Sequence, residues 1–208
     1  MGDNMARNPA VDAIGKAKDA YHHGDLRAAL VAAARQDLET ARPEAITLKS
    51  LALRLGVSQP APYRHFASRD ALLAAVAADG FERFHGALIA ARNEAGENDV
   101  FLRSCLAYLE FARANRGVYR LMFASELLRE TDDEALKGAS AAAFDFLLER
   151  VAKTAPPERV RAVAVWIWST LHGLAMLEAE GLAGGPSSGD IGPEAVVREM
   201  MSTLRGTS

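Results

Sequence analysis

The chain has few of the features that mark secreted, membrane-spanning or β-sheet proteins. Its 208 residues include one cysteine, Cys105, so no disulfide can form within the chain, and no positively charged apolar leader follows Met1. The longest stretch without charge, 162–177, has 16 residues, fewer than the roughly 20 that a membrane-spanning helix needs. Runs of alternating apolar and polar residues are absent, and alanine is abundant. We therefore expect a cytoplasmic all-α protein without membrane contact, and we interpret 162–177 as a buried helix.

Breaks in the apolar pattern divide the chain into three parts. Residues 1–20 mix Gly, Asn, Asp, Lys and Pro without periodicity, which predicts a flexible N-terminal tail. A small helical domain is expected at 21–68 and a larger one at 69–208, with about nine helices in total.

Capping residues predict where the first helices begin and end. Asp25, Thr47 and Ser68 each precede an apolar-periodic segment and are typical N-cap residues. Gly56 follows the second segment and ends it, because glycine accepts the left-handed conformation that closes helices. Pro60 and Pro62 then fit the first turn of a short third helix that reaches about residue 66, where an N–H group has no partner within the helix.

Two short helices joined by a glycine turn form a helix-turn-helix. An αα-hairpin used only for packing has the same pattern. Between residues 47 and 69 the sequence holds four bases and no acid. A solvated face would also explain the bases, but the lack of carboxylates allows this segment to approach phosphates.

At this point the sequence resembles a known family. Residues 24–88 are similar to the N-terminal domain of the TetR family of bacterial transcriptional regulators. The resemblance rests on Ile-Thr at 46–47, the turn at 52–58, Tyr-Arg-His-Phe at 63–66 and Ser-Arg-Asp-Ala-Leu at 68–72. Further along, Trp168, His172 and Gly173 resemble a Trp/His/Gly motif of one C-terminal subgroup. Pro62 departs from the family pattern, which usually has a larger aliphatic residue there.

The resemblance implies a role for each DNA-contacting position. Phosphate contacts would come from Thr47, Tyr63, His65 and Arg69, whose hydroxyls and bases position a protein without reading sequence. Base contacts would come from Gln59, Pro60, Ala61, Lys49 and Arg64. The resemblance also implies an N-terminal three-helix DNA-binding domain at 21–68, and a ligand-binding and dimerisation domain at 69–208.

In this family the later helices enclose a pocket for a small-molecule effector. Eight residues are assigned to it by the resemblance: Phe84, Tyr108, Tyr119, Met122, Phe123, Phe144, Trp168 and His172. Plain core packing is the alternative for each of them. Cys105 has apolar neighbours, which indicates a buried, inert thiol rather than a redox sensor.

The last two helices carry more apolar surface than a monomer of this size buries easily. Trp166 and Trp168 fall on opposite sides of one helix, and a stripe of Val197, Met200, Met201 and Leu204 marks the other. We therefore expect a homodimer with an interface that includes Trp166 and this stripe.

The leading hypothesis is a homodimeric, ligand-responsive DNA-binding repressor that binds a palindromic operator. It needs no cofactor, and no Cys/His/Asp cluster has the spacing of a metal site. Two alternatives stay open: an all-α enzyme or carrier with a non-functional helix-turn-helix, and a DNA-binding protein whose pocket is filled.

Overall fold

The computed structural model describes residues 25–96, 99–124, 132–183 and 192–206, and its regular structure is entirely helical. Eight α-helices lie in these residues: α1 (Leu26–Leu38), α2 (Leu48–Arg54), α3 (Arg69–Glu94), α4 (Val100–Ala114), α5 (Arg116–Ala124), α6 (Glu134–Val151), α7 (Val160–Ala179) and α8 (Pro193–Gly206). Three 3₁₀ helices connect them: Pro43–Ala45, Pro62–Arg64 and Pro157–Arg159. The all-α prediction is confirmed. The predicted tail at 1–20 lies outside the described residues.

The predicted N-caps are confirmed by their hydrogen bonds. Asp25 accepts a bond from the Ala28 N–H at 2.9 Å, and Ser68 accepts one from the Ala71 N–H at 3.1 Å. Thr47 and Ser50 form a reciprocal capping box at the start of α2. These caps fix where α1, α2 and α3 begin.

Gly56 makes the turn after α2 because its backbone is left-handed, with φ of 68°. The N–H of Val57 donates to the Ala52 carbonyl at 3.0 Å, and the N–H of Gly56 donates to the Leu53 carbonyl at 3.2 Å. This pair of bonds is the Schellman motif, which satisfies carbonyls that a helix end leaves free. A side chain at residue 56 would place strain on this turn.

The third helix is not an α-helix, and this part of the prediction was wrong. The segment is a turn at 59–61 followed by the 3₁₀ helix Pro62–Arg64. Pro62 has no N–H, so it cannot form the bond between residues four apart that an α-helix needs with the Ser58 carbonyl. That carbonyl accepts instead from the Ala61 N–H at 3.0 Å, three residues on, which is the 3₁₀ spacing. Pro62 is fully buried and anchors the segment to the core.

The long helix α3 links the two parts of the molecule. It begins directly after the 3₁₀ turn and packs against α1, α4, α5 and α6. With 26 residues it extends about 39 Å. Near its middle, Asp79 accepts a hydrogen bond from Arg35 of α1 at 2.9 Å, and both side chains are partly buried. One continuous helix therefore runs from the helix-turn-helix into the C-terminal domain.

A second link joins α5 to the end of α1. Gly117 lies so close to Leu38 that a Cβ atom there would be 1.9 Å from the Leu38 carbonyl oxygen. The N–H of Gly117 also donates to Glu39 Oε2 at 3.3 Å. Only glycine fits this contact between the two helices.

The helix α7 is less buried than its sequence predicts. Together with the preceding 3₁₀ helix it forms a run, Pro157–Ala179, whose length and apolar composition would suit a membrane span, but only 28% of its most apolar part is buried. Trp168 faces an interior cavity, whereas Trp166 is 41% exposed; Val165 also lines that cavity but is 42% exposed. The interpretation of 162–177 as a buried helix was therefore wrong for one of its faces.

Candidate functional site

The residues predicted to contact DNA lie on α2, on the 3₁₀ turn and at the start of α3. The turn packs against both α1 and α2. Seven of the nine side chains are exposed, and Tyr63 is 56% exposed despite its aromatic ring. The exposed seven are Thr47, Lys49, Gln59, Pro60, Tyr63, Arg64 and His65, while Ala61 and Arg69 are half-buried.

One base in this region is not available to a partner. Arg54 donates to the Ala33 carbonyl at 3.1 Å, to Gln36 Oε1 at 2.5 Å and to the carboxylate of Asp37. These bonds fasten α2 to α1. Counting bases along 47–69 therefore overstates the free positive charge, which comes from Lys49, Arg64 and Arg69.

Arg69 keeps unused hydrogen-bonding capacity. Its Nε atom is buried and has no hydrogen-bond partner among the described residues. The nearest carboxylate oxygen, Asp70 Oδ1, lies 3.7 Å away, beyond hydrogen-bond distance. Arg69 therefore forms a long ion pair with Asp70, and its side chain is 40% exposed at the beginning of α3.

A cavity of about 540 Å³ lies between α3, α4, α5, α6 and α7. Its size is typical of sites for small organic ligands. Five of the eight predicted ligand-binding residues lie on its wall: Phe84, Tyr108, Phe123, Phe144 and Trp168. The rings contact one another edge to face or tilted, with centroids 5.0 Å apart for Phe84 and Tyr108 and 5.9 Å apart for Phe144 and Trp168. The walls are therefore mostly apolar and aromatic.

Tyr119 and His172 lie behind this wall rather than on it. The hydroxyls of Tyr108 and Tyr119 are 2.7 Å apart, and Tyr119 Oη is 2.8 Å from His172 Nδ1. Burial lowers the pKa of His172, which favours the neutral ring. The two hydrogen bonds join Tyr108 on the wall to Tyr119 and His172 behind it in one chain.

The same burial acts on the other titratable groups of the cavity. Desolvation raises the pKa of Tyr108 to about 12, against the opposing effect of its hydrogen bond to Tyr119, and it also raises the pKa of Tyr119. The pKa of the buried Cys105 thiol is raised to about 12 by desolvation alone. The predicted burial of Cys105 is confirmed, and all these groups are neutral at neutral pH.

Met122 does not reach the cavity. It is buried where α5 crosses α3, with its sulfur against the backbone at Gly80. The aromatic pattern of the sequence could not separate this residue from the true wall residues, because all of them lie on buried faces.

Four polar residues of the cavity wall were missed by sequence reasoning. Ser104 lies on α4, Ser140 and Arg150 lie on α6, and Arg161 lies near the start of α7. Each is an ordinary residue in its own helix, and only the packing of the three helices brings them to one cavity. The described residues contain no group of three His, Cys, Asp or Glu side chains that could hold a metal ion.

Comparison with known proteins explains this arrangement. The family described as bacterial regulatory proteins, tetR family, matches residues 30–76, and the family described as tetracyclin repressor-like, C-terminal domain, matches residues 101–204. The chain belongs to the TetR family. Its N-terminal helix-turn-helix and C-terminal ligand-binding domain are those of a DNA-binding transcription regulator.

Solved structures show the same fold over most of the TetR-family chain. A protein of unknown function from Rhodococcus sp. RHA1 is 32% identical, with a TM-score of 0.75 over 91% of this chain and 98% of that one. A tetR-family regulatory protein from Rhodococcus RHA1 is 20% identical, with a TM-score of 0.61 over 86% and 95%. A TetR variant from Acinetobacter baumannii AYE in complex with minocycline is 23% identical, with a TM-score of 0.55 over 85% and 93%. No curated protein matches this chain.

Membership of the TetR family also settles the character of α7. TetR regulators are cytoplasmic DNA-binding proteins, so α7 is a helix of the C-terminal domain rather than a membrane span. The Trp/His/Gly subgroup stays a prediction.

The predicted dimer residues of this TetR-family protein fall into two groups. Val197 and Met200 are 1% and 5% exposed, because α8 packs this stripe onto α4 of the same chain. Trp166, Met201 and Leu204 line a second groove of about 720 Å³ between α6, α7 and α8. Val197 and Met200 therefore belong to the protomer core and have little surface left for a partner.

Proposed function

We propose that this TetR-family protein is a cytoplasmic homodimeric repressor that leaves a palindromic operator when a small molecule enters the cavity. The observation that carries the proposal is α3, a single helix that starts beside the exposed 3₁₀ turn and also supplies Phe81, Phe84 and Leu88 to the cavity wall. An open cavity of this size speaks against the alternative of a filled pocket. The minocycline complex of a protein with the same fold supports a ligand site in this domain.

Two contacts would transmit the response to DNA. A ligand that displaces the cavity wall moves α3 or α5, since both helices supply wall residues. Movement of α3 acts on α1 through the bond between Asp79 and Arg35, and movement of α5 acts on α1 through Gly117 and Leu38. Because α1 packs against α2 and the turn, either path changes the separation of the two DNA-reading segments in a dimer.

The DNA contacts follow from exposure and chemistry. Tyr63 and Thr47 carry exposed hydroxyls, and Arg69 is a partly exposed cation at the start of α3, so these residues suit phosphates. Gln59 and Arg64 are exposed on the turn and suit base edges, because an amide pairs with adenine and a guanidinium with guanine.

A partner protomer would cover the exposed face of α7. Trp166 and Leu177 are exposed there, and a Cβ added at Gly173 would meet nothing within 4 Å. Small residues between apolar ones allow a second helix to approach closely. A two-fold axis near this stripe would bury it against its own copy, together with Met201 and Leu204 at the groove beside it.

A mobility-shift titration on the DNA upstream of the gene tests the proposal. Arg64→Glu should abolish sequence-specific binding, because it places a carboxylate against the DNA. Arg83→Glu on the exposed side of α3 is the matched control, with the same change of charge away from the turn. An enzyme or carrier with a non-functional helix-turn-helix would give no specific shift in any variant. Footprinting should show two half-sites centred about one helical turn, ~34–36 Å, or a multiple of it, apart.

Sedimentation at micromolar concentration tests the dimer. Trp166→Glu should give monomers, since it places a charge in an apolar interface. Leu53→Glu changes an apolar residue that is 83% exposed on α2, and it should leave the dimer intact. A monomeric wild-type protein would overturn the proposed assembly.

A further inference from the structure

Among the residues that the structure describes, the wall of the effector cavity carries positive charge and no compensating acid. Arg150 and Arg161 are the charged side chains of this described wall, and it includes no aspartate or glutamate. Neither arginine has an ion-pair partner among the residues that the structure describes. A cationic ligand would meet repulsion here, whereas an anionic group would find two unneutralised guanidinium groups.

Arg150 is half-buried and Arg161 is exposed, so these arginines mark the end of the cavity that meets solvent. They flank the connection between α6 and α7, where the first helix ends at Val151 and the second begins at Val160. Trp168 lies seven residues after Arg161 on α7, about 10 Å further along the helix. The aromatic cluster and the arginines are therefore separated along the length of the cavity, and the wall between them is mostly apolar.

Ser104 adds a polar group between the two ends. It is 8% exposed, and its hydroxyl has no hydrogen-bond partner. On α4 it lies one turn after Phe101 and one turn before Tyr108, and all three line the cavity. A buried hydroxyl without a partner is unfavourable. A polar atom of a bound ligand would satisfy it.

We propose that the effector is an amphipathic organic acid, and this rests on the proposed ligand-responsive function. Its carboxylate binds Arg150 and Arg161, its apolar body fills the space among Phe84, Phe144 and Trp168, and a polar atom along that body meets Ser104. Guanidinium groups suit this role because their fixed fork matches the two oxygens of a carboxylate.

Three probes with one alkyl chain and different head groups test the charge. Decanoate, 1-decanol and decylamine are titrated into the full-length protein by calorimetry, without DNA. Decanoate should bind most tightly and decylamine most weakly. Arg150→Gln and Arg161→Gln should each weaken decanoate about tenfold, as the loss of one charge-assisted bond implies, and should leave 1-decanol within about twofold.

Arg103→Gln is the matched control for net charge. Arg103 precedes Ser104 on α4 but is exposed and does not line the cavity. Its substitution should leave decanoate binding unchanged. Because Arg150 also lines the groove beside α8, sedimentation of each variant checks that its oligomeric state is that of the wild type.

A second comparison tests Ser104. Decanoate and 5-hydroxydecanoate differ by one hydroxyl near the middle of the chain, between the arginine end and the aromatic end of the cavity. For each protein we take the ratio of its affinity for the hydroxylated acid to its affinity for decanoate. This ratio should be about tenfold higher in the wild type than in Ser104→Ala.

Several results would overturn the inference. Decylamine binding as tightly as decanoate, arginine variants with undiminished decanoate affinity, or no saturable binding of decanoate up to millimolar concentration each contradict it. These outcomes are independent of DNA binding. A protein that binds decanoate through Arg150 and Arg161 but gives no specific DNA shift would retain the ligand site and refute the proposed repressor.

Discussion

Replacement of Gly117 with alanine probes the contact that joins the ligand-binding domain to the end of α1. The added Cβ would lie 1.9 Å from the Leu38 carbonyl oxygen and 2.4 Å from the Leu38 carbonyl carbon. These are backbone atoms, which no side-chain rotation can move. To reach the 3.0 Å that real Cβ atoms keep, α1 and α5 must separate by about 1 Å. The separation would also lengthen the 3.3 Å bond between the Gly117 N–H and Glu39.

The expected loss of stability follows from this overlap. Overpacking of a tight contact costs about 1–3 kcal/mol. Gly117 is the second residue of α5, so the gain in helix propensity is below the about 0.5–1 kcal/mol expected in a helix interior. A net loss of about 1–3 kcal/mol would lower the Tm by roughly 2–12 °C for a chain of this size. Operator affinity should fall as well, because α1 belongs to the DNA-binding domain.

Gly86→Ala is the matched control. Gly86 is an exposed residue inside α3, and a Cβ there would meet nothing within 4 Å. This variant should gain about 0.5–1 kcal/mol from helix propensity alone. Both proteins are unfolded by heat and by urea at one fixed concentration, since the stability of a dimer depends on concentration. If Gly117→Ala matched Gly86→Ala in stability and in operator affinity, the contact with Leu38 would neither stabilise the fold nor couple α5 to the DNA-binding domain.

Three further predictions concern single side chains. Tyr63→Phe should weaken binding to operator and to random duplexes alike, by on the order of tenfold, without changing the salt dependence. Arg69→Ala should instead flatten the plot of log affinity against log salt by about one unit. Mobility shifts at two salt concentrations test both variants, and a change of sequence specificity in either one would contradict a phosphate contact. The pKa of His172 is lowered from 6.5 by burial, so its contribution to the free energy of unfolding should be complete above pH 6.5 and fall as the pH drops below that value. Urea unfolding above and below pH 6.5 should show this loss in the wild type and a smaller loss in His172→Gln. Cys105, with a pKa raised to about 12, should not react with a thiol reagent at neutral pH until the protein is denatured, and fast labelling of the native protein would contradict its burial.

Local signals in the sequence predicted the N-terminal domain well. The caps Asp25, Thr47 and Ser68 and the turn at Gly56 depend on hydrogen bonds within a few residues, so the sequence contains their causes. The third helix was the exception. The prolines were assigned to a tolerated first turn, but Pro62 removes the N–H that the Ser58 carbonyl would need for α geometry.

The C-terminal domain was harder to predict because its features depend on packing between distant helices. The stripe of Val197 and Met200 could cover its own α4 or a partner, and periodicity gives the same pattern in both cases. Arg150 and Arg161 stand in separate helices whose sequences give no sign of a shared cavity. Ser104 is likewise an ordinary helix residue until its hydroxyl is found without a partner.

In the 3₁₀ turn at Pro62–Arg64 and the residues beside it, the side chains that anchor the backbone differ from those exposed to solvent. Pro62 and Phe66 are buried and keep the backbone in place, while Gln59, Tyr63 and Arg64 are exposed to solvent. Substitution of these exposed residues should therefore change the free energy of unfolding very little. A lineage with this turn is able to acquire a new operator preference through substitutions at 59 and 64 without first gaining stability elsewhere, and a directed library at these positions should contain mostly folded proteins.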